Sequence, residues 1–471
     1  MHIKFQYFIK MAKKINYYLS IILLFCLLLH LSMCSNNKTT INIEGYKPLQ
    51  KVNPTQLNFL GHWLGEGKKE QLLKELINEF EFTNQDVKIN MKYPEEIYFD
   101  RRKQNIETAF NAKIALSEKP EWDIIRLNNE YAKVADSLHD PDWGKKYLVD
   151  FSEIPEFRNT TREELLTDNI KAQYGGIIPG PFIDGYNWAL WCNLEVAKKV
   201  GIEVKQFNMT ADDFLGYLKA VYDYNKLHND SIMGIYDAFD WSTIQSIAQE
   251  LFFSEIGNYN EIIEFHYSDK KMNAWEKVLR EIEKMSAYKP VPSNYRNITW
   301  TETVDYPLQG KCLFYSNASW MYNMWLGRDS VKLKNMIPTE LPVFKTSPAY
   351  IGGYFVTWAV LKKSPNRDKA VRFLLSINKP DVAEKWSRYT KSPTGIKGNL
   401  TTLNFGYDKF ENYQFMIQSK YGSHKTMVYN NSIYCLGKEN ENVPDHYLEV
   451  FTGQMTADQA LNDIKRQIKK K

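Results

Sequence analysis

Apolar and polar positions change period several times along the chain. Leu57-Asn58-Phe59-Leu60 is a short apolar run of the kind that forms a strand. Gly61-His62-Trp63-Leu64-Gly65 interrupts it as a loop. Over residues 68–80 the spacing becomes helical, with Leu72, Leu73, Leu76, Ile77 and Phe80 on one face. Val87, Ile89, Met91 and Tyr93 then alternate with polar neighbours, the pattern of a half-buried strand. After a further helical stretch, Trp122 to Leu127 reads as another strand. Strands alternating with helices predict an α/β fold of parallel sheets covered by helices.

Later helices carry their own start signals. Thr210 is placed to cap a helix containing Phe214, Leu215, Leu218 and Val221. Ser364 or Asn366 precedes a helix with Val371, Phe373, Leu374 and Leu375. Thr456-Ala457-Asp458-Gln459 has the form of a capping box and leads into Ala460, Leu461, Ile464 and Ile468. The closing run Lys469-Lys470-Lys471 suits the negative end of that helix. No internal repeat is visible.

The amino terminus follows a different pattern. Four lysines (Lys4, Lys10, Lys13 and Lys14) precede an apolar stretch from Leu19 to Leu29. That stretch is short of the roughly 20 residues a membrane-spanning helix needs, and the layout is that of a secretory signal peptide. Leu31-Ser32-Met33-Cys34 resembles a bacterial lipobox, in which the Cys becomes the lipidated first residue. Met33 departs from it, because a small residue is usual before the Cys. An uncut signal anchor, or a cleavage site elsewhere, is the alternative. Residues 1–33 are thus assigned as a signal peptide and 34–53, rich in Asn, Lys and Thr, as a lipidated tether.

Composition narrows the possible partners. With 471 residues, two domains are expected. The formal charge is +4, and removing the signal lysines leaves 56 basic and 56 acidic residues. A balanced chain argues against nucleic acid, which is bound largely through its phosphates. Aromatic residues make up 14%, with 30 Tyr and 12 Trp. Most belong in a core, but flat rings also suit the apolar C–H faces of a sugar. Beyond Cys26 and Cys34, the cysteines Cys192, Cys312 and Cys435 fit no metal-ligand spacing and read as buried thiols. No cofactor or metal is implied.

Several ordered motifs point the same way. Leu57-Asn-Phe-Leu-Gly-His-Trp63, the helix ending Glu79-Phe80 and Val87-Lys-Ile-Asn90 resemble the opening of the extracellular solute-binding proteins of carbohydrate ABC transporters, of the maltose-binding type. Glu121-Trp-Asp-Ile-Ile125 is similar to a later strand motif of that family. Tyr186-Asn-Trp-Ala-Leu-Trp-Cys-Asn193 resembles its crossover strand, and Gln309 to Trp320 its segment ending in two small residues and a Trp. Leu341-Pro342 and Gly352-Gly353-Tyr354 resemble its return segment, and Gly453 to Ile468 its closing helix.

The resemblance implies a two-lobed periplasmic-binding-protein-like fold, with hinge crossings and a ligand cleft between the lobes. One lobe would run over 54–185 plus 353–425, the other over 186–352 plus 426–471. It also implies a monomer that binds a carbohydrate, an oligosaccharide given the ring content, by hinge closure. The protein would deliver the sugar to the permease subunits of a membrane transporter. It would be exported and lipid-anchored to a bacterial membrane, and it would perform no catalysis.

A sugar site needs flat rings and planar polar groups, in loops at strand ends. The candidates are Trp63 and Glu66 in the first loop, Asn128, Asn129 and Glu130 after the strand ending at Leu127, and Tyr186 and Asn187 at the crossing. Trp241 and Trp320 are the candidate stacking platforms, and Gly353 and Tyr354 belong to the return segment. Tyr429 and Tyr434 are later candidates. Trp188 and Trp191 are assigned to the core. The alternative readings are that Trp63 packs its loop onto its own lobe and that Glu66 is a helix-start carboxylate favourable to the dipole.

Two other classes stay open. A secreted carbohydrate-active enzyme also uses rings and paired carboxylates, although no nucleophile elbow or HExxH motif occurs. A sensory lipoprotein can keep the same fold and report to a signalling partner.

Overall fold

The computed structural model describes residues 53–94, 113–127, 138–236, 244–263, 267–398, 426–427 and 443–469. Met1–Asn53 separates from Pro54–Lys471, which is one compact unit. All that follows concerns the second unit.

Its first half is built on β1 (Thr55–Leu60), α1 (Lys68–Thr83), β2 (Val87–Lys92) and β3 (Ile124–Arg126). β1 lies parallel to β2, with Thr55 opposite Val87, and parallel to β3, with Phe59 opposite Ile124. The buried face of α1 is Leu72, Leu73, Leu76, Ile77 and Phe80, as its spacing predicts.

The chain then enters β4 (Asp184–Asn193), a ten-residue strand buried from end to end. Next come α2 (Leu194–Lys199), α3 (Ala211–His228), β5 (Met233–Tyr236), α4 (Ile244–Ile256) and α5 (Asp269–Ser286). β6 (Cys312–Ala318), α6 (Met321–Arg328), β7 (Met336–Thr339) and β8 (Tyr350–Phe355) follow. β9 (Trp358–Val360) returns to the first sheet, antiparallel to β3. α7 (Arg367–Ile377), α8 (Pro380–Thr390), β10 (Thr426–Met427), α9 (Tyr447–Phe451) and α10 (Ala457–Lys469) complete the described chain.

The result is a four-stranded sheet in the order β2-β1-β3-β9, and a six-stranded one in the order β10-β8-β4-β6-β5 with β7 on β4. Around the first sheet lies one hydrophobic cluster, drawn from Leu57 to Ile183 and again from Val356 to Ile396. Around the second lies another, drawn from Tyr186 to Ile351 and from Tyr447 to Ile464. A smaller cluster, including Trp191, Tyr315 and Trp325, also belongs to the second sheet. The architecture is therefore two α/β lobes, and the chain passes between them more than once.

Those crossings explain why the second sheet is mixed and not parallel as the alternation predicts. β4 carries the chain out of the first lobe and β8 carries it back, so they run antiparallel, with Tyr186 opposite Gly353 and Asn187 opposite Gly352. β6 and β7 are also antiparallel to β4, and among the described residues of this sheet the parallel pairs are β5–β6 and β10–β8.

Local signals are realised at two helix starts. Thr210 forms a reciprocal capping box with Asp213, and Thr456 forms one with Gln459. At α7 the outcome differs. Asn366 makes no side-chain cap. It donates instead to the buried Asp123 carboxylate at 3.2 Å, beside Ser364 at 2.5 Å and the Asn58 backbone N–H at 2.7 Å. A buried carboxylate left short of donors costs more than an uncapped, exposed helix end.

The junction of β4 with the first lobe is fixed by charge. Lys69 Nζ on α1 meets Asp184 Oδ2 at 2.6 Å, and both side chains are at most 2% exposed. Trp386 Nε1 on α8 donates to the other carboxylate oxygen at 3.2 Å. Lys69→Met should destabilise the protein by about 3–5 kcal/mol, because it strands Asp184 as an uncompensated buried anion. Lys69→Met with Asp184→Leu should recover much of that loss in urea unfolding. A double-variant loss equal to the sum of the Lys69→Met and Asp184→Leu losses would show that the pair is not coupled.

Candidate functional site

The crossing strands bring four rings together. Tyr186 on β4 has its ring centroid 5.3 Å from that of Trp320, 6.3 Å from Trp188 and 6.4 Å from Phe355 on β8. Trp188 and Trp320 meet edge to face at 5.9 Å. Tyr186 and Trp188 are buried, whereas Trp320 and Phe355 keep partial exposure. Tyr186 and Trp188 lie two residues apart, so the strand period puts them on one face. Trp320 reaches that face because it ends the turn after β6 and immediately precedes α6.

Polar bonds hold the cluster in place. The Asn187 backbone N–H donates to Ser319 Oγ at 3.3 Å, and the Ser319 N–H donates back to the Asn187 carbonyl at 2.9 Å. Trp188 Nε1 donates to Ser316 Oγ at 3.1 Å, and Ser316 Oγ lies 2.8 Å from Ser246 Oγ on α4. The crossing strands also approach unusually closely. A Cβ on Gly185 would stand 2.6 Å from the Gly353 carbonyl oxygen, so only glycine fits there.

The first lobe presents a second constellation at the carboxyl ends of its strands. Trp63, at φ 71°, is buried against Trp386 at 4.7 Å and Trp358 at 5.1 Å, with His62 stacked on it at 4.9 Å. Lys69 Nζ lies 5.5 Å from the Trp63 ring centroid. Burial, reinforced by the charges of Arg126 and Lys69, holds the His62 imidazole well below its usual value, so it is neutral at physiological pH.

Of the residues singled out in the sequence, Tyr186, Asn187, Trp320 and Gly353 are gathered at the crossing. Trp63 stands apart from them, covered by its own lobe. Glu66 is half-buried in the first loop, where its N–H donates to the Trp63 carbonyl at 3.0 Å. The Glu70 carboxylate accepts from the Gly65 N–H of the same loop at 2.7 Å. Tyr354 is half-buried against the first lobe, with the Arg162 guanidinium 5.6 Å from its ring. Asn128, Asn129, Glu130, Trp241, Tyr429, Tyr434 and Cys34 lie outside the described residues.

Three participants went unnoticed in the sequence. Phe355 had a weak signal in directly following Gly352-Gly353-Tyr354 of the return segment. Ser319 had one in its place just before Trp320. Trp386 had none, being a helix residue that meets Trp63 only through the fold. Cys192 and Cys312 are buried thiols, and burial pushes the Cys192 thiol up to about 12. Among the described residues no group of three His, Cys, Asp or Glu side chains could hold a metal ion.

No protein-family model and no curated protein matches the chain. Solved structures do. The apo form of RafE from Streptococcus pneumoniae aligns over 88% of this chain and 97% of its own, at 14% identity and a TM-score of 0.59. RafE in complex with raffinose covers 88% and 98%, at 13% identity and a TM-score of 0.59. Maltose-bound MalE3 of T. maritima covers 88% and 99%, at 12% identity and a TM-score of 0.57. At such identities the likeness establishes the fold alone, a two-lobed α/β fold of the periplasmic-binding-protein kind.

Ser316 is the hinge pin of the ring cluster, accepting from Trp188 and touching Ser246. Ser316→Ala should cost about 1–3 kcal/mol in guanidinium unfolding, because the buried indole N–H loses its acceptor. A loss within experimental error would mean that the indole finds another partner.

Proposed function

We propose that the chain is an extracellular solute-binding protein of the carbohydrate ABC-transporter kind. In this reading it takes an oligosaccharide into the cleft between its lobes by hinge closure and passes it to membrane permease subunits. It acts as a monomer without turning the sugar over. It is exported, and a lipid on Cys34 tethers it to a bacterial membrane.

One observation carries this reading: Tyr186, Trp320 and Phe355 cluster where the chain crosses between the lobes. Sugar rings have apolar C–H faces that pack on flat aromatic surfaces. Trp320 and Phe355 keep exposed surface for such a face, while Tyr186 and Trp188 back them. The fold adds support, since proteins of the same fold are complexed with raffinose and maltose. Ligands of open α/β sheets sit at the carboxyl ends of the strands. The His62–Trp63 loop occupies that position in the first lobe, and Trp63 serves there as the buried base of the wall. Glu66, Asn128, Glu130 and Asn187 supply hydroxyl contacts in this scheme, Trp241 is a further stacking platform, and Gly353 and Tyr354 border the site from the return strand.

Calorimetry against maltooligosaccharides, raffinose and stachyose tests the proposal. Trp320→Ala should weaken the best ligand about tenfold, the equivalent of roughly 1.4 kcal/mol of ring stacking. Absence of heat with every sugar at millimolar concentration would refute the carbohydrate reading. For the anchor, Cys34→Ser should move the protein from the membrane fraction to the soluble one, and unchanged fractionation would rule lipidation out.

A further inference from the structure

The two lobes touch away from the crossing strands. Asn323 Nδ2, on α6 of the second lobe, donates to the backbone carbonyl of Thr390, the last residue of α8 in the first lobe. Asn323 is 1% exposed and Thr390 is fully buried. The helices belong to different cores: Met321 and Trp325 of α6 pack with Trp191 and Tyr315, whereas Val382, Ala383 and Trp386 of α8 pack with Trp63 and Trp358. The first loop of lobe one joins the contact, for a Cβ on Gly67 would lie 3.7 Å from the Asn323 carbonyl oxygen.

This contact is tied to the ring cluster by the helix itself. Trp320 precedes the first turn of α6, and Asn323 lies three residues on, about one helical turn away. A ligand that holds Trp320 therefore also holds the helix end bearing Asn323. The contact is also poorly balanced. Asn323 Oδ1 and, two residues beyond Thr390, Ser392 Oγ are buried with no hydrogen-bond partner among the described residues. Unmet polar atoms oppose what the one good bond favours, so the contact is suited to forming and breaking.

We infer that Asn323 is a positioning residue that clasps the two lobes through Thr390 and sets the balance between open and closed forms. It acts on ligand through lobe closure and Trp320. This rests on the two-lobed binding reading, but the clasp can be measured without any ligand.

The test compares the full chain with Asn323→Ala and Asn323→Asp. The second variant keeps the shape, removes the N–H donor and sets a carboxylate against the Thr390 carbonyl. Both should raise the radius of gyration of the unliganded protein in small-angle X-ray scattering at pH 8, while the urea unfolding midpoint moves little. With a sugar that binds the wild type, both should speed dissociation about five- to tenfold, the worth of one neutral hydrogen bond, and change association less. If Asn323→Asp scatters and dissociates like the wild type, the side chain is a packing residue and the clasp is refuted. If both variants leave size and dissociation unchanged, it is refuted as well. If either variant fails to fold, the other decides. Should no sugar bind the wild type, the function proposed above fails, and scattering alone still judges the clasp.

Discussion

The Asp184 carboxylate is the point on which the architecture turns. It stands at the first residue of β4, where the chain leaves one lobe for the other, and it is buried. An isolated carboxylate there would be prohibitively costly, and it is tolerated because Lys69 neutralises it and Trp386 donates to its second oxygen. Lys69 belongs to the first turns of α1 and Trp386 to α8, so one charge gathers two helices around the start of the crossing strand. Such a pair adds little net stability compared with apolar packing of the same shape. What it supplies here is direction, because α1, α8 and β4 satisfy the charge together only in this mutual arrangement.

The rest of the crossing follows from that start. Once Asp184 is fixed, β4 must run out of the first lobe fully buried, and its return partner β8 must run antiparallel beside it. Gly185 lets the two backbones approach, since any side chain there would collide with the Gly353 carbonyl. The next residue is Tyr186, and the strand period then sets Tyr186 and Trp188 toward Trp320. The ring cluster is thus positioned by a strand anchored in one lobe and a helix start supplied by the other. A site of that construction feels any relative movement of the lobes.

What could be read from the sequence divides along the same physical line. Features set by neighbours in the chain were legible: the apolar face of α1, the alternation in β2, and the capping boxes at Thr210 and Thr456. Ordered motifs brought out the α/β lobes, and Tyr186, Asn187, Trp320 and Gly353 do meet at the crossing. Features set by distant partners were not legible. Trp63 is buried because Trp358 and Trp386, roughly three hundred residues away in the chain, close over it. Lys69 looks like an ordinary polar position on a helix until Asp184, 115 residues later, is brought to it. Asn366 has the form of a helix cap, yet the buried Asp123 claims its side chain.

The contrast between the lobes bears on how ligand and motion are linked. In the first lobe the rings around Trp63 are sealed by packing, with His62 neutral and Lys69 committed to Asp184. That wall is closely packed, and it offers a ligand little aromatic surface. In the second lobe Trp320 is only partly covered and sits at a helix start whose next turn reaches across to Thr390. On the proposed reading a ligand gains most from the partly exposed rings of the second lobe, and any differential affinity it has for a closed arrangement shifts the population toward that form. In that proposal a packed wall on one side and the Asn323–Thr390 contact on the other divide the work of a closing cleft: one defines the shape, and the other responds when the shape is filled.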